Sequence, residues 1–320
     1  MLLDTLVKNY PGSLDLAVLS PVLAELPPLV SETDLHIAQL TLALLTSVTT
    51  SQASTIPVIQ KSVLPEVLKL AESPLLQGAA LAAMLDFFRA LVGAGVPGLS
   101  HSDMLALLVN PILTQKGAAI HKQGRANIAK CAASLVSHSQ TEAVVVVKQF
   151  MQQLNTPGLP DYSMTFSLLA IGETGRGADL SQVIFCRYLS FEFTHTLEKN
   201  TNRKSTQAII GQVPDLKTAV LAAFNHSSEE VKSAASYALG NIALGNLKEY
   251  LPFILHEIGS QPRRQYLLLH SLKEVEICYK CEMYPILFLL VKVISAQSVS
   301  PSGVQTLSSY VPNIWDQLYR

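Results

Sequence analysis

The chain has 320 residues, enough for two ordinary domains or one elongated one; 49% are hydrophobic, only 7% aromatic and 15% charged. With 23 basic and 24 acidic side chains the formal net charge is −1, which excludes the electrostatic footprint of a nucleic-acid-binding surface and any charged tail. The apolar mass is therefore mostly Leu, Val, Ile and Ala, a composition that suits stacked helices.

In chain order, Asp4 interrupts the first apolar stretch and Lys8 and Pro11 follow, which argues against a signal peptide. DLHIAQLTLALLTSVTT (34–50) reads as a helix with Ala38, Leu42 and Leu45 on one face. SVLPEVLKLAESPLLQGAALAAMLDFFRALVGAG (62–95) reads as an apolar helix, an ESP turn and a second helix opening on Gly78-Ala79-Ala80. HKQGRANIAKCAASLVS (121–137) is a further second helix. AVVVVK (143–148) could pass for a strand, but the helical pattern continues through Gln149 and Leu154, so a helix is expected. MTFSLLAIGETG (164–175) and EEVKSAASYALGNIALGN (229–246) share an outline, AIGE in one and ALGN in the other.

PDLKTAVLAAF (214–224) precedes the latter, joined to it by the polar turn NHSSE, whose serines are cap candidates. Glu229, Glu230 and Lys232 suit a solvated helix start. LKEYLPFILHEIGSQPRRQYLLLHSLKEV (247–275) supplies another pair. Two antiparallel helices recurring every 35–45 residues or so define a helical solenoid. The expected fold is all-α, a right-handed α-solenoid of about seven HEAT-type (armadillo-like) helix pairs with essentially no sheet. One pair cannot bury both its faces. Close approach of neighbours then explains the Ala, Ser and Gly of VKSAASYALG, which resembles the second helix of HEAT repeats.

The array is expected to run over 1–320 as one continuous segment, with the period broken at about 182–210 and 276–293. The first break holds clustered aromatics and NTNRKST; the second is EICYKCEMYPILFLLVKV. Without them the flanks join as GADLSGQVPDLKTAVLAAF and LLLHSLKEVISAQ. Each break reads either as a surface loop or extra helix, or as an addition to an older array by alternative splicing or intron read-through.

No catalytic constellation stands out. The histidines are scattered, and His121, His226 and His256 lie near turns or helix faces. GETGRG (172–177) follows a helix instead of a strand, so it reads as a helix stop and not a phosphate loop. CYKC (278–281) lacks the second ligand pair that a zinc ribbon needs, and Cys131 and Cys186 stand apart, so neither a metal nor a disulfide framework is expected. No cofactor, small-molecule substrate, nucleic acid or membrane partner is indicated. The longest apolar run, YPILFLLVKVI (284–294), is interrupted by Lys292 and falls short of the roughly twenty residues needed to span a bilayer, so a soluble intracellular protein is expected. Candidate partner contacts are Gln261, Pro262, Arg263, Arg264 and Tyr266, a turn with two arginines beside an aromatic. The same composition also suits a plain solvated turn.

Five long strings, SPLLQGAALAAMLDFFRALV (73–92), HKQGRANIAKCAASLV (121–136), SSEEVKSAASYALGN (227–241), EYLPFILHEI (249–258) and SQPRRQYLLLHSLKE (260–274), resemble one HEAT-repeat family, the cullin-associated, neddylation-dissociated proteins. The chain reads as an internal, later-middle piece of such a protein. The resemblance implies a non-enzymatic scaffold that binds cullin–RING ligase cores, regulates assembly and exchange of SCF-type ubiquitin ligases, and works in cytoplasm and nucleus. The alternative from periodicity alone is a HEAT scaffold or transport-receptor-like protein with another partner.

Overall fold

In a computed structural model of the chain, residues 2–9, 16–178 and 216–278 are described, and they divide into two units, 1–143 and 144–320. The stretch 182–210, the residues of 276–293 beyond Cys278, Cys186 and Cys281 lie outside the described residues.

The first unit opens with α1 (Leu2–Asn9) and α2 (Leu16–Glu25). Then follow α3 (Leu35–Ser51), α4 (Ile56–Ser62), α5 (Leu64–Ala71), α6 (Gly78–Gly93), α7 (His101–Leu113) and α8 (Lys122–Leu135). Helix α9 (Gln140–Leu154) begins here and continues into the second unit. There α10 (Asp161–Gly177), α11 (Leu216–Ala223), α12 (Glu229–Gly245), α13 (Leu247–Ser260) and α14 (Gln265–Cys278) follow. No strand occurs among the described residues. The fold is all-α and of the α-solenoid class, built from helix pairs. Second helices start at Leu35, Gly78, Lys122 and Asp161, roughly forty residues apart.

In most pairs, though not in α9/α10 or α11/α12, the two members differ in proline content. Proline lies in the first helices α2 (Pro21), α4 (Pro57), α5 (Pro65), α7 (Pro111) and α13 (Pro252), whereas α3, α6, α8, α10, α12 and α14 carry none. Pro21, Pro111 and Pro252 lie inside their helices, where proline removes a backbone hydrogen bond and favours a kink, whereas Pro57 and Pro65 sit in the first turn, where it is tolerated. The apolar helix expected from Ser62 onward is α5, with Pro65 in its first turn, while α4 precedes it and was not among the expected elements. The unbroken second helices stack on one another: α3 on α6 and α6 on α8 in the first unit, α10 on α12 and α12 on α14 in the second.

The cores follow the spacing. Ala38, Leu42 and Leu45 of α3 are fully buried, as are Met84, Phe87, Phe88 and Leu91 of α6. In α9, Ala143, Val147, Phe150 and Met151 are buried while Val145 is 54% exposed. That is the i, i+4, i+7, i+8 stripe of a helix, and a strand would have placed Val145 with Ala143 and Val147. Phe150 meets Phe166 of α10 edge to face with centroids 5.7 Å apart.

Caps mark the helix starts. The Asp34 carboxylate accepts from the amides of His36 and Ile37, and Ser100 and Asp103 close a capping box at α7. His121 and His226 each accept a backbone amide through Nδ1, from Gln123 at 3.2 Å and Ser228 at 3.1 Å. Ser228 does occupy the N-cap of α12, but its side chain makes no cap bond. Helix α10 runs into the GETGRG stretch and stops on its last residue, Gly177, while Gly172 inside the helix is a packing position.

A candidate partner-binding edge in the second unit

Contact between second helices is close enough to exclude side chains. A Cβ on Gly172 of α10 would lie 2.8 Å from the Ala238 Cα of α12. On Gly240 of α12 it would lie 2.3 Å from the Ser271 carbonyl oxygen of α14, and on Gly245 2.1 Å from the Gly175 carbonyl oxygen. The matching AIGE and ALGN strings therefore mark one recurrent contact, in which the glycine of each second helix receives the backbone of the next. Ala234, Ala235 and Ala238 are buried beside it. In the first unit a glycine also meets backbone, but that of the turn after a first helix: a Cβ on Gly124 of α8 would be 2.1 Å from the carbonyl oxygen of Glu72, which caps α5.

Polar groups tie the same layers. Ser236 Oγ donates to the Leu267 carbonyl at 2.6 Å. In the first unit the buried Asn127 amide of α8 donates to the carbonyls of Ser73 and Leu76, both at 3.0 Å, holding the turn before α6. Across the second unit, Tyr237 of α12 donates its hydroxyl to Glu173 of α10. Burial first, then the Glu173 carboxylate, holds the Tyr237 phenol above its ordinary range. Glu274 of α14 shares that surface; half-burial raises its carboxyl above the usual range, against the opposing pull of Lys273, His270 and Arg176. Lys217 of α11 pairs with Glu249 and lies 5.2 Å from the centroid of the buried Tyr250 ring of α13.

The expected contact residues all sit at one turn. Pro262–Arg264 form a single 3-10 turn with Pro262 at its start, leading straight into α14. Gln261, Pro262 and Arg263 are exposed, Arg264 is intermediate, and Tyr266 is 70% exposed. Arg264 Nε donates to Asn225 Oδ1 at 3.2 Å, fastening this turn to the one between α11 and α12. Tyr266 meets His270 one turn on, ring centroids 4.9 Å apart, with 3.1 Å between its hydroxyl and His270 Nε2. Sequence reasoning found the turn but missed Asn225 and His270; the i, i+4 spacing of Tyr266 and His270 was a usable signal.

Among the described residues no group of three or more His, Cys, Asp or Glu is placed to hold a metal, and no single helix is long and apolar enough to cross a membrane. Cys131 is buried in α8, its sulfur 3.8 Å from Met84 Sδ, in the manner of a small core hydrophobe.

Stacked glycine-marked second helices and exposed inter-helix turns define a HEAT-type helical-repeat protein. No protein-family model matches the chain. It is similar to a Drosophila melanogaster cullin-associated NEDD8-dissociated protein 1, 36% identical over all of this chain and 23% of the relative. Cullin-associated NEDD8-dissociated protein 2 of Rattus norvegicus and protein 1 of Arabidopsis thaliana are each 35% identical over 85% of this chain, which covers 19% and 20% of those proteins. The chain belongs to the cullin-associated NEDD8-dissociated protein family, and it spans about a fifth to a quarter of the length of the curated relatives it matches.

Proposed function

We propose that the chain is a protein–protein interaction scaffold that binds cullin–RING ligase cores and regulates assembly and exchange of SCF-type ubiquitin ligases. It acts by contact and not by catalysis, in cytoplasm and nucleus. The observation that carries this reading is the kinship with relatives named for cullin association and NEDD8 dissociation. The geometry supports it: successive second helices packed backbone to side chain form a stiff support, and the turns between them stay open to a partner. On this reading residues 1–320 are one continuous array with insertions at about 182–210 and 276–293, and Gln261, Pro262, Arg263, Arg264 and Tyr266 lie among its contacts.

The test is co-elution of the purified chain with a recombinant cullin–RING core on size exclusion, with the core bare or conjugated to NEDD8. Co-elution with the bare core, lost on conjugation, is expected. Failure to co-elute with either, for this chain and for a version extended at both ends, overturns the reading.

A further inference from the structure

The turn at 261–266 combines three features that a plain solvated turn does not need. Its backbone is restricted by Pro262, and the Arg264 side chain is bonded to the Asn225 side chain of the neighbouring turn. Its aromatic side chain is fixed, because Tyr266 is held by the His270 ring while remaining 70% exposed. Its charge is uncompensated: residues 261–272 hold Arg263, Arg264 and His270 but no Asp or Glu. None of the ion pairs among the described residues uses either arginine. Of the acids nearest in sequence, Glu257 lies 3.8 Å from His256 and Glu274 lies next to Lys273, with Lys273 and His270 both acting on its carboxyl.

We propose that this turn is a docking point for an acidic segment of a partner protein, with carboxylates that meet Arg263 and Arg264 and an apolar side chain that lies on Tyr266. The proposal rests on the scaffold reading and names the chemistry of what this edge takes. Guanidinium groups bind carboxylates through paired hydrogen bonds, which gives the contact direction as well as charge. A tyrosine already held in one orientation loses little freedom on binding, which is why such residues dominate interface energetics. An apolar or basic segment would leave two arginines facing it without a counter-charge, so the edge selects against both.

The experiment is fluorescence anisotropy at low ionic strength. The full chain is titrated into a fluorescein-labelled peptide of glutamates flanking a central phenylalanine, and into the same peptide with glutamine for every glutamate. The acidic peptide is expected to bind, and the glutamine peptide to bind at least about tenfold more weakly. Arg263→Glu and Tyr266→Ala should each weaken the acidic peptide about tenfold. Lys69→Glu, at an exposed lysine of the first unit, should leave it unchanged. Both substituted side chains are exposed, so circular dichroism should match the parent; if Arg263→Glu fails to fold, Arg263→Gln replaces it.

No binding of the acidic peptide, equal binding of both peptides, or parent-like binding by Arg263→Glu and Tyr266→Ala overturns the proposal. A parallel titration with a cullin–RING core separates the two readings. Equal binding of the core to parent and Arg263→Glu removes docking at this turn and leaves the scaffold function. Peptide binding without core binding supports the docking point and removes the cullin reading.

Discussion

Replacing Gly240 by alanine adds one methyl group where there is no room. The new Cβ would sit 2.3 Å from the Ser271 carbonyl oxygen and 2.7 Å from Glu274 Cβ. Comfortable contacts between such atoms are about 3.5 Å, so α12 and α14 must part by about 1 Å. A backbone carbonyl cannot swing aside as a side chain can, and the separation also stretches the Ser236–Leu267 bond, now 2.6 Å. Forced overpacking costs about 1–3 kcal/mol, against which alanine gains up to about 1 kcal/mol in helix propensity. The net loss is about 1–2 kcal/mol. Gly259 is the internal control: it lies in α13 with nothing within 4 Å of an added Cβ, so Gly259→Ala should gain about 0.5 kcal/mol. Urea unfolding followed by circular dichroism compares the three midpoints. Parent-like or higher stability of Gly240→Ala would refute the view that backbone contact between second helices sets their composition.

Ala235 is fully buried in α12, and Ala235→Leu should lower the unfolding free energy in the same assay by about 1–3 kcal/mol. Asn127→Ala leaves the Ser73 and Leu76 carbonyls without their shared donor and should cost about 2–3 kcal/mol in the same assay. Glu274 has a raised carboxyl pKa, so its charged form burdens the folded state at neutral pH. As pH falls through that raised value the folded chain takes up a proton before the unfolded chain does, and stability rises until the ordinary value of 4.5 is reached. Glu274→Gln should therefore melt above the parent at pH 7, with the difference shrinking as pH falls toward 4.5. Asp4 works in the opposite sense: burial alone would raise it, but Lys8 and Ser47 hold it low, so Asp4→Asn should remove stability present at neutral pH and absent in acid.

Much of the helix framework was legible because it rests on local patterns. The Ala38, Leu42, Leu45 stripe and the AIGE and ALGN strings needed no partner to be seen. What the small residues pack against was legible only in kind: Gly240 announces a close approach, but Ser271 as its neighbour is a fact of stacking. The stop at GETGRG was legible, since α10 ends on Gly177, but the packing role of Gly172 was not, because the backbone facing it does not show in the sequence. The short helix α4, with Pro57 in its first turn, lay outside the strings read as helices. At the candidate site, composition located the turn, whereas the Tyr266–His270 contact and the Arg264–Asn225 bond across two turns were not read from the sequence.

Hydrogen–deuterium exchange of the chain, alone and with saturating bare cullin–RING core, tests the scaffold function most directly. Slowed exchange at 261–266 and along the exposed side of the second helices, absent when the core carries NEDD8, is the expected result. Exchange unchanged everywhere by the bare core, or slowed only within the first unit, would contradict it.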